Sequence, residues 1–223
     1  MSTVAIPAAQ PPAVLYDIDW KTYTMLLRVF ERSGRRFRLT YDRGTLEIMS
    51  PLWVHEAQAR LLGRFIDVLT EELNLPCRLG GSVTLRRRKK QKGLEPDNCY
   101  WIASTPLLQG KRHLDLRVDP PPDLAVEVDV TSSVMNRIGI YSALGVPEIW
   151  RLSVGGIAFH ILASGKYQVQ SNSLSFPQLA STDLVPFLAQ WGQDDDTTIV
   201  RRFREWVKQQ LLSRPTPSTS PSP

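Results

Sequence analysis

The stretch "PPDLAVEVDVTSS", Pro121 to Ser133, has the apolar density of a buried strand, yet it carries Asp123, Glu127 and Asp129. Successive side chains of a strand point to opposite faces, so Leu124, Val126, Val128 and Val130 line one face and Asp123, Ala125, Glu127 and Asp129 the other. Two or three carboxylates then share one side. Past the strand, Ser132 or Ser133 can cap a helix that holds Val134, Ile138 and Tyr141 on one face and stops at Gly145. "VPEIWRLSV" is the next strand. A strand, a helix and a further strand in that order belong to an α/β protein.

Working outward, the same grammar extends in both directions. Asp19 is placed to cap a helix over about Trp20 to Glu31, where Trp20, Tyr23, Leu27 and Phe30 recur at helical spacing. "RFRLTYDRGTLEIMSP" alternates Phe37, Leu39 and Tyr41, turns at Asp42-Arg43-Gly44 and returns through Leu46 and Ile48, the pattern of a hairpin. From His55 to about Leu73 a longer helix puts Gln58, Leu62, Phe65, Ile66 and Leu69 on one face and ends before Pro76. Strands are expected from about Arg78 to Arg87 and from Asp97 to Ala103. "GIAFHILASGKYQVQ" reads as a hairpin and "TTIVRRFREWVKQQLL" as an amphipathic helix. The whole describes an α/β core with a mixed sheet flanked by helices, preceded by an N-terminal helix and hairpin. One domain is expected over 15–212, between a loose Ala/Pro leader over 1–14 and a Pro/Ser/Thr tail over 213–223 that lacks the apolar residues to order itself.

Composition narrows the function classes. With 223 residues, 42% hydrophobic and 22% charged, the chain has the make-up of an ordinary globular protein. No apolar run approaches the roughly 18 residues of a membrane span. The start lacks a basic segment followed by a continuous apolar one, so a cytoplasmic location is expected. Cys77 and Cys99 then read as reduced thiols, with a disulfide the alternative. Scattered His55, His113 and His160, without paired spacing, argue against structural zinc. The net charge of +5 suits an anionic partner.

Asp97 opens its strand after "LEP", with Cys99 and Trp101 on its face, and resembles Glu127 in standing among apolar residues. Two carboxylates on neighbouring strands can hold one Mg²⁺ between them, and that ion polarises a phosphoryl oxygen and activates water. The chemistry so implied is phosphodiester hydrolysis; the alternative is a pair of ordinary solvated carboxylates. Seven Lys/Arg and no acid lie between Arg78 and Lys92. Within that run Arg86, Arg87, Arg88, Lys89 and Lys90 suit phosphate contacts, or else a solvated edge that discourages sheet association. Arg137 occupies an inward slot of its helix, where its head either snorkels or meets an anion such as a substrate phosphate. His55 falls on an apolar helix face, where a hydrogen-bonded core histidine is the commoner state. Glu47 reads as an exposed hairpin carboxylate unless the hairpin folds over the site.

The ordered set "TYDRGTLEIMSP", "HEAQARLLGRFIDVLTEEL", "GLEPDNCYWI", "PPDLAVEVDVTSS" and "IYSALGVPEIWRL" resembles the Uma-two family of restriction-endonuclease-like proteins, over about Asp17 to Leu152. That family is assigned to the PD-(D/E)XK nuclease superfamily. The resemblance implies cleavage of nucleic acid, DNA in the first place, with Mg²⁺ or alternatively Mn²⁺ and with a homodimer as the working form. It matches Asp97 to the superfamily's first acid and Glu127 to the second. The lysine expected two residues on is replaced by Asp129, which is left to add a ligand or orient water. In the family a lysine on the following helix takes that role, and here the matching residue is Arg137, a permanent cation that cannot act as a base. Glu47 and His55 match family-typical positions. Ser133 stands where an acid is common. The competing reading is a weakened relative that binds nucleic acid or a protein partner without cutting it.

Overall fold

The computed structural model describes residues 11–34, 37–50, 52–129, 133 and 135–215. A short strand β1 (Ala13–Leu15) leads to helix α1 (Trp20–Ser33), whose Asp19 side chain caps the Thr22 amide at 2.7 Å. The expected hairpin follows as β2 (Arg38–Asp42) and β3 (Thr45–Met49), closed by the two-residue turn Arg43-Gly44, both with positive φ. That is the turn whose twist matches paired strands. Helix α2 (Trp53–Glu72) comes next, and then the strand expected over Arg78 to Arg87 divides. Its first part, β4 (Arg78–Leu79), and its second, β5 (Leu85–Arg87), join different sheets.

The reason is local. Gly80 lies so close to its neighbours that a Cβ there would stand 2.5 Å from Cys99 Sγ, and Gly81 has a φ of +57°. The chain therefore turns out of one sheet and into the other. Beyond β5 the basic run makes a 3-10 turn over Arg88–Lys90, and β6 (Lys92–Leu94) returns beside β5. Then come β7 (Asn98–Trp101), β8 (Leu124–Asp129), α3 (Arg137–Leu144), β9 (Glu148–Ser153), β10 (Gly156–Ala163), β11 (Lys166–Gln170), α4 (Ser181–Leu188) and α5 (Asp196–Trp206).

The mixed α/β fold expected from the sequence is present, with its strands divided between two sheets. One runs β1-β3-β2-β6-β5 and is antiparallel throughout; the other runs β11-β10-β9-β8-β7-β4, with β8 and β9 its parallel pair. The face of β8 bearing Leu124, Val126 and Val128 packs on α2, α4 and α5 in the main core, where Phe65 and Phe203 stand 4.4 Å apart. Its other face is covered too. Ala125 and Ile149 meet Ile140, Tyr141 and Leu144 of α3 and Leu85 and Leu94 of the first sheet. The first sheet turns its outer face to α1, with Tyr23 stacked 4.6 Å from Tyr41.

Three local expectations change. Asp123 lies before β8 and accepts from the Ile102 and Ser104 amides at 2.7 and 2.9 Å, so it anchors a loop. Helix α3 begins at Arg137 and is capped by Asn136, whose Oδ1 accepts from the Gly139 amide at 2.9 Å. Ser133 is therefore not its cap, while Val130, Ser132 and Val134 lie outside the described residues. Ala13 and Val14, expected in a loose leader, pair with β3. Both cysteines are free, as expected; burial pushes the Cys77 thiol up to about 11 and the Cys99 thiol up to about 12. No described helix is long and apolar enough to cross a membrane.

Candidate active site

β7 and β8 are antiparallel with Asn98 opposite Val126, and one further step of that register sets Asp97 opposite Glu127. The Asp97 amide donates to the Val126 carbonyl at 3.1 Å, and Asp97 Oδ2 accepts from the Val128 amide at 2.6 Å. Both carboxylates are therefore fixed at the carboxyl end of β8, on the face covered by α3 and the hairpin. They are 5% and 9% exposed, and both line a cavity of about 200 Å³. Asp129, His55, Ser133, Arg137 and Arg151 line it as well.

Each central carboxylate has its own arginine. Arg137 grips Glu127 with a fork, Nε to Oε2 at 2.9 Å and Nη2 to Oε1 at 2.7 Å. The same guanidinium donates from Nη1 to Thr40 Oγ1 at 2.5 Å and from Nη2 to the Glu95 carbonyl at 2.8 Å. Four of its five N–H donors are thus committed. Burial works against the Arg137 charge, but Glu127 beside it more than compensates and holds its pKa above the usual arginine range. The Tyr141 hydroxyl also donates to Glu127 Oε1, and burial followed by the Glu127 charge drives its pKa well above the ordinary value. Asp97 is paired with Arg38 of β2, which reaches Glu56 at 2.5 Å with its other nitrogen.

The remaining candidates divide. His55 is buried, with Nε2 3.3 Å from Asp97 Oδ2, and among the described residues Nδ1 has no hydrogen-bond partner. Burial, then the Arg38 charge, lowers its pKa below 6.5, so the ring is neutral at neutral pH. Glu47 is 1% exposed rather than solvated, because the hairpin does fold over the cleft; its oxygens accept from Ser133 Oγ at 2.8 and 3.0 Å. Asp129 is paired with Arg151 of β9 at the rim of the cavity. Arg86, Arg88, Lys89 and Lys90 stand exposed on the first sheet, outside the residues lining the cavity, and Arg87 donates to the Leu116 carbonyl at 3.0 Å.

Reasoning from sequence missed Arg38, Thr40, Tyr141 and Arg151. Only Arg38 and Thr40 left a signal. They alternate with Leu39 and Tyr41, so they make a polar face opposite the hydrophobic one.

A family model described as "Uma2: Putative restriction endonuclease" matches residues 20–198. The chain belongs to the Uma2 family. Among solved structures it is similar to "a putative nuclease belonging to DUF820 from Anabaena variabilis", at 16% identity and a TM-score of 0.48, covering 70% of this chain and 92% of that one. No curated protein matches it.

Nucleases of the restriction-endonuclease-like type generally use a divalent metal ion, and the donor chemistry of this Uma2 centre fits one. Asp97 and Glu127 present hard carboxylate oxygens on facing residues, open to one cavity. Magnesium needs no more than two such groups, because it keeps waters and takes substrate phosphate oxygens for the rest of its shell. Among the described residues no group of three or more His, Cys, Asp and Glu forms a fuller cage. The cation that Glu127 holds in this arrangement is the Arg137 guanidinium.

Proposed function

We propose that the protein is a divalent-metal-dependent endonuclease that hydrolyses phosphodiester bonds of nucleic acid, with DNA as its first substrate and Mg²⁺ or Mn²⁺ as the ion. The observation that carries the reading is the facing pair Asp97 and Glu127 at the wall of one cavity, each anchored by fixed donors. Those two carboxylates would hold the ion. When bound, it would polarise a phosphoryl oxygen and lower the pKa of a water. The Val128 amide keeps Asp97 turned toward the cavity. Thr40 and the Glu95 carbonyl fix the plane of Arg137, and the fork in turn fixes the orientation of the Glu127 carboxylate. Arg137 can stabilise charge that develops on a phosphate but cannot accept a proton, so the base must come from elsewhere. His55, neutral and buried beside Asp97, is a supporting group, and Asp129 with Arg151 shapes the rim. The working unit in this reading is the single domain over 15–212, paired as a homodimer so that two centres meet two strands.

A second reading has one observation of its own: Arg137 and Tyr141 engage both oxygens of Glu127, as they would in a relative that binds nucleic acid without cutting. One experiment separates the two. Purified protein is incubated with plasmid DNA and with RNA in Mg²⁺ or Mn²⁺, beside Asp97→Asn and Glu127→Gln. Nicking that both substitutions abolish is the expected result. Equal nicking by all three proteins removes the enzyme reading, and salt-sensitive binding without nicking selects the second.

A further inference from the structure

Beside the cleft runs a second, open groove that shares Met135 and Asn136 with the cavity of Asp97 and Glu127 and is otherwise lined by the hairpin turn and β1. Three turns meet along it, each bent through a non-glycine residue with positive φ: Asp17 at 55°, Arg43 at 43° and Gln91 at 50°. Among the described residues only two other non-glycine positions, Asn74 and Ser164, share that conformation. The three turns are tied together. The Ile18 amide donates to the Gly44 carbonyl at 2.9 Å, the Arg43 amide to the Gln91 carbonyl at 2.8 Å, and the Tyr41 hydroxyl to the Ile18 carbonyl at 2.9 Å.

The side chains so presented have a common chemistry. Arg43 is 73% exposed; among the described residues only its Nε is engaged, to Asp42 at 3.0 Å, which leaves the Nη groups available. Asp42 is also paired with Lys92 at 2.6 Å, so its carboxylate is met by two cations and the ion cluster of Asp42, Arg43 and Lys92 carries one net positive charge. Tyr16, 71% exposed, offers an aromatic face, and Asn136 keeps its Nδ2 donor because only Oδ1 serves as the helix cap. Gln91 closes the turn of Arg88, Lys89 and Lys90, its amide donating to the Arg88 carbonyl at 3.0 Å. The groove thus adjoins the candidate cleft through Met135 and Asn136, and its Arg43 backbone is bonded to the Gln91 that ends the basic turn.

The geometry points to this groove as a binding subsite for one strand of nucleic acid, with Tyr16 stacking on a base and Arg43 contacting a phosphate next to the one in the cleft. It rests on the nuclease reading above and adds to it the path of the strand. Aromatic stacking and cationic phosphate contacts suit a single strand, whose bases are free to splay.

Fluorescence anisotropy tests it, with full-length protein, a chelator to prevent cutting, and one labelled sequence offered as single-stranded DNA, single-stranded RNA and duplex DNA. Tyr16→Ala is expected to weaken single-strand binding about tenfold with an unchanged salt slope. Arg43→Ala is expected to weaken it by a similar factor and to reduce the slope by about 0.7, one phosphate contact on a single strand. Preference between the DNA and RNA strands assigns the sugar. Both residues are exposed turn positions, and circular dichroism checks that the variants keep their fold. Wild-type affinity in both variants, or a duplex preference that neither changes, overturns the subsite. If that occurs while the wild type still nicks plasmid in Mg²⁺, the nuclease reading survives; if the wild type binds no nucleic acid, both fall.

Discussion

Glu127 and Glu148 are both buried carboxylates on the parallel pair β8 and β9, and they are held in opposite ways. Glu148, fully buried at the start of β9, accepts from the Trp150 indole at 2.9 Å and from the Leu174 and Ser175 amides at 3.1 and 2.8 Å. Its partners are neutral groups, and two of them are backbone, so it fastens a loop to the sheet. Glu127 sits at the other end of the pair, and its partners are the side chains of Arg137 and Tyr141 beside a cavity. The two Pro-Asp pairs differ likewise. Asp123 gives both oxygens to Ile102 and Ser104 of one loop, whereas Asp97 is shared among Arg38, His55 and Val128 at the cleft. A carboxylate satisfied by backbone amides builds the fold. One satisfied by long cationic side chains next to open space can exchange its partner, and exchange is what a site requires.

The comparison breaks most easily at Glu148. Removing it as Glu148→Ala orphans the buried Trp150 indole N–H and two partly buried amides and is expected to cost about 2 kcal/mol or more in urea unfolding; a loss under about 1 kcal/mol would deny it a structural role. Glu127→Gln should cut nicking in Mg²⁺ at least about a hundredfold, an effect on activity that Glu148→Ala lacks beyond its loss of fold; it also leaves the buried Arg137 cation without its counter-charge, a cost in stability that the Thr40 and Glu95 acceptors only partly offset. A more finely graded effect is expected of Arg137→Lys. A lysine keeps the charge but surrenders the fork, so Mn²⁺ read by electron paramagnetic resonance should bind about tenfold more tightly, about 1.4 kcal/mol. Affinity equal to the wild type's would show that the fork does not compete with the ion. The smallest effect belongs to His55. Its folded pKa is lowered by burial and by Arg38, so the unfolded chain takes up the proton first. Its stabilising contribution is therefore present above about pH 6.5 and is lost as pH falls through the folded value. His55→Gln should flatten that decline in urea midpoints measured between pH 7.5 and 5.5.

Helices α1, α2 and α5 and the two longer hairpins were legible because their apolar periods are local. The division of the strands into two sheets was not. β1 and β6 are three residues each, and their pairings lie far from their own sequence neighbourhoods, with Val14 opposite Glu47 and Gly93 opposite Tyr41. Helix α4 hides behind Pro186, which reads as a breaker. At the site, Asp97, Glu127 and Arg137 stood out as charges in apolar slots. Arg38, Thr40 and Tyr141 did not, because their importance lies in what they touch, and Thr40 and Arg137 are 97 residues apart. Glu47 stays open in the sequence for the same reason: a hairpin shows which side is polar, but only packing shows what covers that side.

The two-residue turn Arg43-Gly44 fixes which residues of β2 face the cleft. Arg38 and Thr40 point to Asp97 and Arg137, while Leu39 and Tyr41 point to α1. A strand slipped by one position exchanges its faces. One residue inserted or deleted there would bring a leucine and a tyrosine against two buried ion pairs and turn an arginine into an oily core. The turn thus works as a gauge: its length encodes the charge of a cleft it does not itself enter, and a lineage could silence the centre by miscounting there while leaving every acidic residue in place.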